Sequence, residues 1–333
     1  MSERPKKRSQ KLTARRVLFQ WRFPVIIVIF LIVLCCIPVG FLTYVITRPK
    51  EPDPPTSVDL YQKAVYDTLI AENYELPSEM SPAHTLVTLD PASLTVDHDG
   101  NGRVLLCTWH RNPEIYPAGT DVTLNYGNIT AVSYKELADW YSNRTHQDEF
   151  KSADAGGKDG GTQENNVDTR LQQLFGLPPL SGDTSAKNTH FTIFWVNPES
   201  VVRPAYSSDV MSANMTNSLQ TASDDPFSIW FASNALYYYT TINQAWTRLG
   251  YTYDWYYEDD EKLTPAANAA RHFGLTEFLV NNEQSIHVVS TLTTDAFIQQ
   301  LATDSSVATA DTNTDANSDA NANGNTDQAG NAN

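Results

Sequence analysis

Cysteine is scarce: the 333 residues hold three. Cys35 and Cys36 fall inside an apolar run, so Cys107 is alone in the rest of the chain and can form no internal bridge there. A disulfide-stapled domain is excluded for that region. Catalytic signatures are missing as well: no G-x-S-x-G, no S-x-x-K and no H-E-x-x-H occurs. The histidines, His84, His98, His110, His146, His190, His272 and His287, show no ligand spacing, so no zinc site and no cofactor are implied. Cys107 with His110 does not make a nucleophile pair, since residues three apart in a strand point to opposite faces; a buried, inert thiol is expected.

Positive charge is also missing from most of the chain. Residues 1–22 carry eight Lys or Arg against Glu3, leaving 15 cations and 38 anions, a net −23, for the remainder. Such an acidic surface excludes nucleic acid as a partner, because phosphate binding needs a basic footprint. Directly after the basic stretch comes the longest apolar run, Phe23 to Ile46, without one charge. At roughly 1.5 Å per residue, a helix of that length covers a hydrocarbon core of about 30 Å with a slight tilt.

The expected organisation is a basic cytoplasmic tail over 1–22, a single transmembrane helix over 23–46, a Pro-rich spacer over 47–57, an extracytoplasmic α+β domain over 58–302 and a disordered tail over 303–333. The cationic side stays inside, so the N-terminus is cytoplasmic and the C-terminus outside the cell membrane. A cleaved signal peptide fits poorly, because its apolar core would be about 7–15 residues and end in small residues. Leu34 before Cys35 also argues against a lipoprotein. The triplets at Asn128, Asn143 and Asn214 have the Asn-x-Thr form of glycosylation acceptors, yet a cysteine-poor exposed domain fits a bacterial surface better.

Within 58–302, Leu60, Ala64, Val65, Leu69 and Ile70 have helical spacing, predicting a first amphipathic helix that ends before Pro77. Short strands are expected at 84–89, 94–96, 104–109 and near 121–126. Ser133 with Glu136 forms a capping box ahead of a second helix. Residues 148–168, nearly devoid of apolar side chains, read as a mobile loop. Asp168 caps a helix that Gly176 and Pro178 stop. The run 190–196 is a strand, 274–280 and 285–292 a hairpin, and 295–301 a short last helix.

The stretch DHDGNGRV, from Asp97 to Val104, carries the front of a calcium loop. Asp97, Asp99 and Asn101 fit the first ligand positions, but Thr108 stands where a bidentate Glu belongs, and a strand-like run comes after it. A tight turn between strands explains the same residues without a metal.

Two segments carry the richest side-chain chemistry. One, CTWHRNPEIYPAG, holds Trp109, Arg111 and Tyr116; the other, AWTRLGYTYDWYYEDDE, holds Trp246, Arg248, Tyr251, Tyr253, Asp254 and Trp255. Aromatic faces with hydrogen-bonding charges suit sugar rings, and make Trp109, Arg111, Tyr116, Arg248, Tyr253, Asp254 and Trp255 the candidate ligand-binding set. Aromatics at alternating strand positions also build cores, with a nearby Arg and Asp as satisfied partners. Glu114, Asp254, Glu258 and Asp259 are carboxylates that could pair as acid and base in glycoside hydrolysis.

These segments, with the run from Leu174 to Pro179, resemble an uncharacterised group of bacterial exported proteins that share T-W-x-x-x-P-E-x-Y-P-like, L-x-G-L-P-P and R-L-G-Y-T-Y-D-W-like segments. The resemblance covers about 150 residues of the outer domain and implies a shared fold and no activity. The functional expectation is therefore a bacterial envelope protein that binds a cell-wall glycan or an envelope protein, or acts as a scaffold. The alternative is an extracytoplasmic glycan- or cell-wall-acting hydrolase.

Overall fold

The computed structural model describes residues 55–70, 85–152, 166–179 and 187–304. All belong to one compact unit, Pro55–Asn333. The apolar run at 23–46, the segments flanking it up to residue 54, and the tail from 305 lie outside the described residues. Among the described residues, no helix is long and apolar enough to cross a membrane.

Helix α1 spans Ser57–Leu69 and starts on Thr56, whose hydroxyl accepts the Asp59 N–H while the Asp59 carboxylate accepts the Thr56 N–H. Both exchanges satisfy orphan donors of the first turn. Tyr61, Ala64, Val65 and Thr68 are its buried stripe. The helix stops at Leu69, and residues 71–84, where it was expected to continue, are outside the described set.

The chain then lays down β1 (Val104–His110), β2 (Asp121–Thr123), β3 (Ile129–Ser133), α2 (Tyr134–Ser142), α3 (Arg144–Ser152), α4 (Asn166–Leu174), β4 (His190–Val196) and β5 (Val201–Val202). After these come α5 (Pro226–Tyr237), β6 (Tyr251–Tyr253), α6 (Pro265–Arg271), β7 (Phe273–Thr276), β8 (Phe278–Val280), β9 (Ser285–Thr293) and α7, residues 294–304. The class is α+β. Its main sheet has seven antiparallel strands in the order β2-β9-β4-β1-β3-β8-β5, and β6 pairs with β7 apart from it.

The expected hairpin from 274–280 to 285–292 does not form. Its strands exist, but β8 pairs with β3 and β5 while β9 pairs with β2 and β4. Four strand spacings separate β8 from β9 in the sheet order, about 19 Å if flat. The link 281–284 can reach about 17 Å at full extension, so the sheet has to curl. Its ends are drawn together accordingly: the Asn281 N–H donates to the Ser200 carbonyl beside β5, and the Leu124 N–H beyond β2 donates to the Gln284 carbonyl.

Curling gives the sheet an inside. Leu106, Ala131, Phe194, Val196, Phe278, Val280, Ile286 and Val288 fill it. The opposite face, with Cys107, Trp109, Val132, Phe191 and Ile193, is covered by α2, α4 and α7 through Leu137, Leu171, Leu174, Phe297 and Leu301. Odd and even residues of β4 thus serve different cores, as a fully covered strand requires. In β9, Val289 is the extra residue of a bulge opposite Ile193 and Phe194, and it is exposed.

Other expectations change in detail. Residues 85–89 and 94–96 are not strands; Leu86 and Leu89 are buried, and their N–H groups donate to the carbonyls of Ala213 and Val210. Half of the 133–136 capping box is present, because Ser133 accepts the Glu136 N–H but the Glu136 carboxylate turns to Thr276 instead. The expected loop 148–168 begins inside α3 and ends inside α4, and both Glu149 and Asp168 are buried, each in an ion pair. Asp168 sits in the first turn of α4 rather than capping it. The stop at Gly176 holds: Gly176 has φ 64°, and Gly176 and Leu177 donate to the carbonyls of Gln173 and Gln172, a Schellman closure.

Candidate functional site

An open cleft of about 640 Å³ lies where α2, α3, α6, β7 and the turn after β6 meet. Glu136, Trp140, His146, Asp254, Tyr257 and Arg271 supply its chemistry. Glu136 lies one turn into α2, placed there by the Ser133 cap, and its carboxylate accepts the Thr276 N–H and hydroxyl at 2.8–3.1 Å. Burial pushes its pKa up to about 7, against the lowering effect of those bonds and of Arg203. His146 stacks on Trp140 at 4.1 Å and donates Nδ1–H to the Trp140 carbonyl, since a carbonyl only accepts. Its Nε2 is left as the second hydrogen-bonding atom.

Beneath the cleft lies an ion triad. Arg170, from α4, is fully buried and forks onto both oxygens of Asp254 at 3.0 and 2.6 Å. Its Nε and Nη2 also reach Glu149 at 3.0 and 2.9 Å. Burial opposes the Arg170 charge, but the two carboxylates more than offset it and hold its pKa above the ordinary value. Trp140 and Tyr256 lie within 5.1 and 4.6 Å of the guanidinium carbon. Tyr257 donates to Glu149 and carries Arg271 over its ring at 5.4 Å. Arg271 itself has no ion pair among the described residues.

The candidate binding set disperses. Trp109 is buried against Phe191 and donates its indole N–H to Thr294. Tyr116 is buried edge-on to His110, and Arg111 is exposed with no hydrogen bond or ion pair among the described residues. Trp246 is buried between Phe231 and Tyr238. Arg248, at φ 61°, closes the end of α1 by donating to the carbonyls of Thr68 and Leu69 and to the hydroxyls of Tyr206 and Tyr239. Tyr253 donates to Asp67 on α1, and Trp255, 1 % exposed, packs edge-on against Tyr61 and donates to Leu177. Of the set, only Asp254 lines the large cleft. The two segments meet elsewhere, at a smaller cavity where Trp109 and Tyr116 are joined by Gln244 and Thr252.

The Asp97 to Val104 stretch is a turn closed on itself. Asp99 Oδ1 accepts the N–H groups of Asn101 and Arg103, and Oδ2 pairs with Arg103 Nε at 2.7 Å. Gly102 takes φ 77°, and His98 bridges to Val104. Asp99 is therefore held within the turn by Asn101 and Arg103, and no group of three or more metal-ligating side chains occurs among the described residues.

No protein-family model, curated protein or solved structure matches this chain significantly. The site must speak for itself. Trp140, His146, Arg170 and Arg271 had no motif to mark them, because they come from segments far apart in the chain, and Tyr257 lies in the second aromatic segment without having been singled out there. The helices α5 and α6 did carry a local signal, an Asp225-Pro226 and a Thr264-Pro265 pair at cap and first position.

Proposed function

We propose that this chain is a membrane-anchored extracytoplasmic binding or scaffold protein of the bacterial envelope, held by residues 23–46, and that the 640 Å³ cleft takes a cell-wall glycan. The length of the apolar run and the charge asymmetry across it support the topology. The observation that favours binding over hydrolysis is the state of the cleft's two carboxylates. Both oxygens of Asp254 are bonded to Arg170 and Glu136 is taken by Thr276, whereas glycoside hydrolysis needs a second carboxylate free to act as nucleophile or base. Arg271 is then the lining charge available to a ligand, and its planar fork suits the carboxylate of an acidic sugar.

The hydrolase reading keeps one specific support, because a carboxyl held near neutrality like Glu136 is what a general acid requires. Purified full-length protein in non-ionic detergent, incubated with cell-wall glycan, separates the two. Retention on the glycan that is lost in Arg271→Ala, with no soluble sugar released, is the expected result. Release of reducing ends that disappears in Glu136→Gln would establish the hydrolase instead. In cells, protease added outside the membrane should remove everything beyond about residue 50; a protected domain would refute the topology.

A further inference from the structure

A second cavity, of about 300 Å³, opens where β1 and β3 part. Their ladder contains only Leu106↔Ser133 and Cys107↔Val132; beyond it the Thr108 hydroxyl reaches across to the Thr130 carbonyl. Trp109, Tyr116, Phe175, Tyr238, Gln244 and Glu277 surround the gap. Glu277, half-buried between β7 and β8, has its backbone fixed by a bond to the Gly250 carbonyl. Its carboxyl group has no hydrogen bond or ion pair among the described residues.

The rest of the lining offers Glu277 no counter-charge. No Lys or Arg lines the cavity. His110 is committed to Thr192 through Nε2 and to the Asn112 N–H through Nδ1. Burial, with His190 nearby, pulls the His110 pKa down to about 4, so the ring is neutral at physiological pH. Burial pushes the Cys107 thiol and the Tyr116 phenol up, and burial with Glu277 raises Tyr238 to about 12, so these too are uncharged. Glu277 is the single lining group that changes charge near neutrality; burial places its pKa at about 7.

An unpaired carboxylate among aromatic rings is costly, and a cation removes that cost while gaining attraction from the ring faces. We propose that this cavity binds an organic ammonium group on a small, partly apolar molecule, with Glu277 as counter-ion and the rings of Trp109, Tyr116 and Tyr238 around the apolar part. The ligand competes with a proton for the same carboxyl. An aliphatic ammonium stays charged across the range, so affinity rises with pH up to the Glu277 pKa and levels off above it.

The test is calorimetric titration of the full-length protein in non-ionic detergent with phenethylammonium, with the neutral 2-phenylethanol as control. Phenethylammonium should bind at about pH 8, roughly tenfold more weakly at about pH 6, as expected for a carboxyl near 7, and not at all in Glu277→Gln; 2-phenylethanol should not bind. Glu277→Asp, which keeps the charge, should retain binding and guards against a variant that fails to fold. Binding of N-acetyl-lysinamide with the same pH and Glu277 dependence supports the same site with a peptide-borne amine. Equal affinity for the alcohol, affinity unaffected by Glu277→Gln, or no binding of either amine at millimolar concentration overturns the proposal.

Discussion

Replacing Arg170 by Met tests whether the ground beneath the cleft is electrostatic or merely packed. Arg170 is fully buried, and its Nη2 bonds Glu149 Oε2 at 2.9 Å and Asp254 Oδ2 at 2.6 Å, so those two oxygens lie at most about 5.5 Å apart. Without the guanidinium they face each other as like charges, a repulsion of about 3 kcal/mol at an effective dielectric near 20. Breaking a buried pair by removing one partner costs about 3–5 kcal/mol by experience, a range that already includes this repulsion. Arg170→Met should therefore lose about 3–5 kcal/mol near pH 7. Adding Glu149→Gln and Asp254→Asn to Arg170→Met should restore most of the stability, because the triad is then replaced by neutral groups of similar shape. Denaturant midpoints followed by tryptophan fluorescence measure all of this. A single variant within about 1 kcal/mol of the parent, or a triple variant no more stable than the single one, would refute the electrostatic account.

The buried aromatics and the closed turn lead to two further outcomes. Trp255→Ala should cost about 3–5 kcal/mol, since it empties a large site against Tyr61 on α1 and leaves the Leu177 carbonyl without its donor; a variant as stable as the parent would return Trp255 to the candidate ligand set. The melting midpoint should be indifferent to calcium and EDTA, because Asp99 is already bonded to Arg103 and Asn101, and a micromolar site would instead add about 4 kcal/mol at millimolar calcium. A rise with calcium that is lost in Asp97→Ala would restore the metal loop.

Local physics was legible in the residues. The start of α1, the β4 strand and the Gly176 stop depend on caps, periodicity and a positive φ, interactions that close within a few positions and leave a mark there. The class, α+β, comes from the alternation of such marks. Ser133 illustrates the limit: its cap was readable, but the destination of Glu136 was not, because Thr276 is 140 residues away.

Only the tertiary structure decided which charges meet. The acid of Arg-Leu-Gly-Tyr-Thr-Tyr-Asp-Trp had Arg248 as its nearest basic neighbour in the chain, yet Asp254 pairs with Arg170, 84 positions away, and Arg248 closes α1. A buried charge is stable only beside its counter-charge, and which one is brought there depends on sheet order and helix placement. The curl of the sheet likewise results from where β8 and β9 pair, which no stretch of ten residues encodes. From the sequence come several of the elements, the acidic charge balance beyond residue 22 and the apolar run at 23–46; from the fold come the cleft, the triad beneath it and the unpaired Glu277, because cavities exist only between segments that the chain itself keeps far apart.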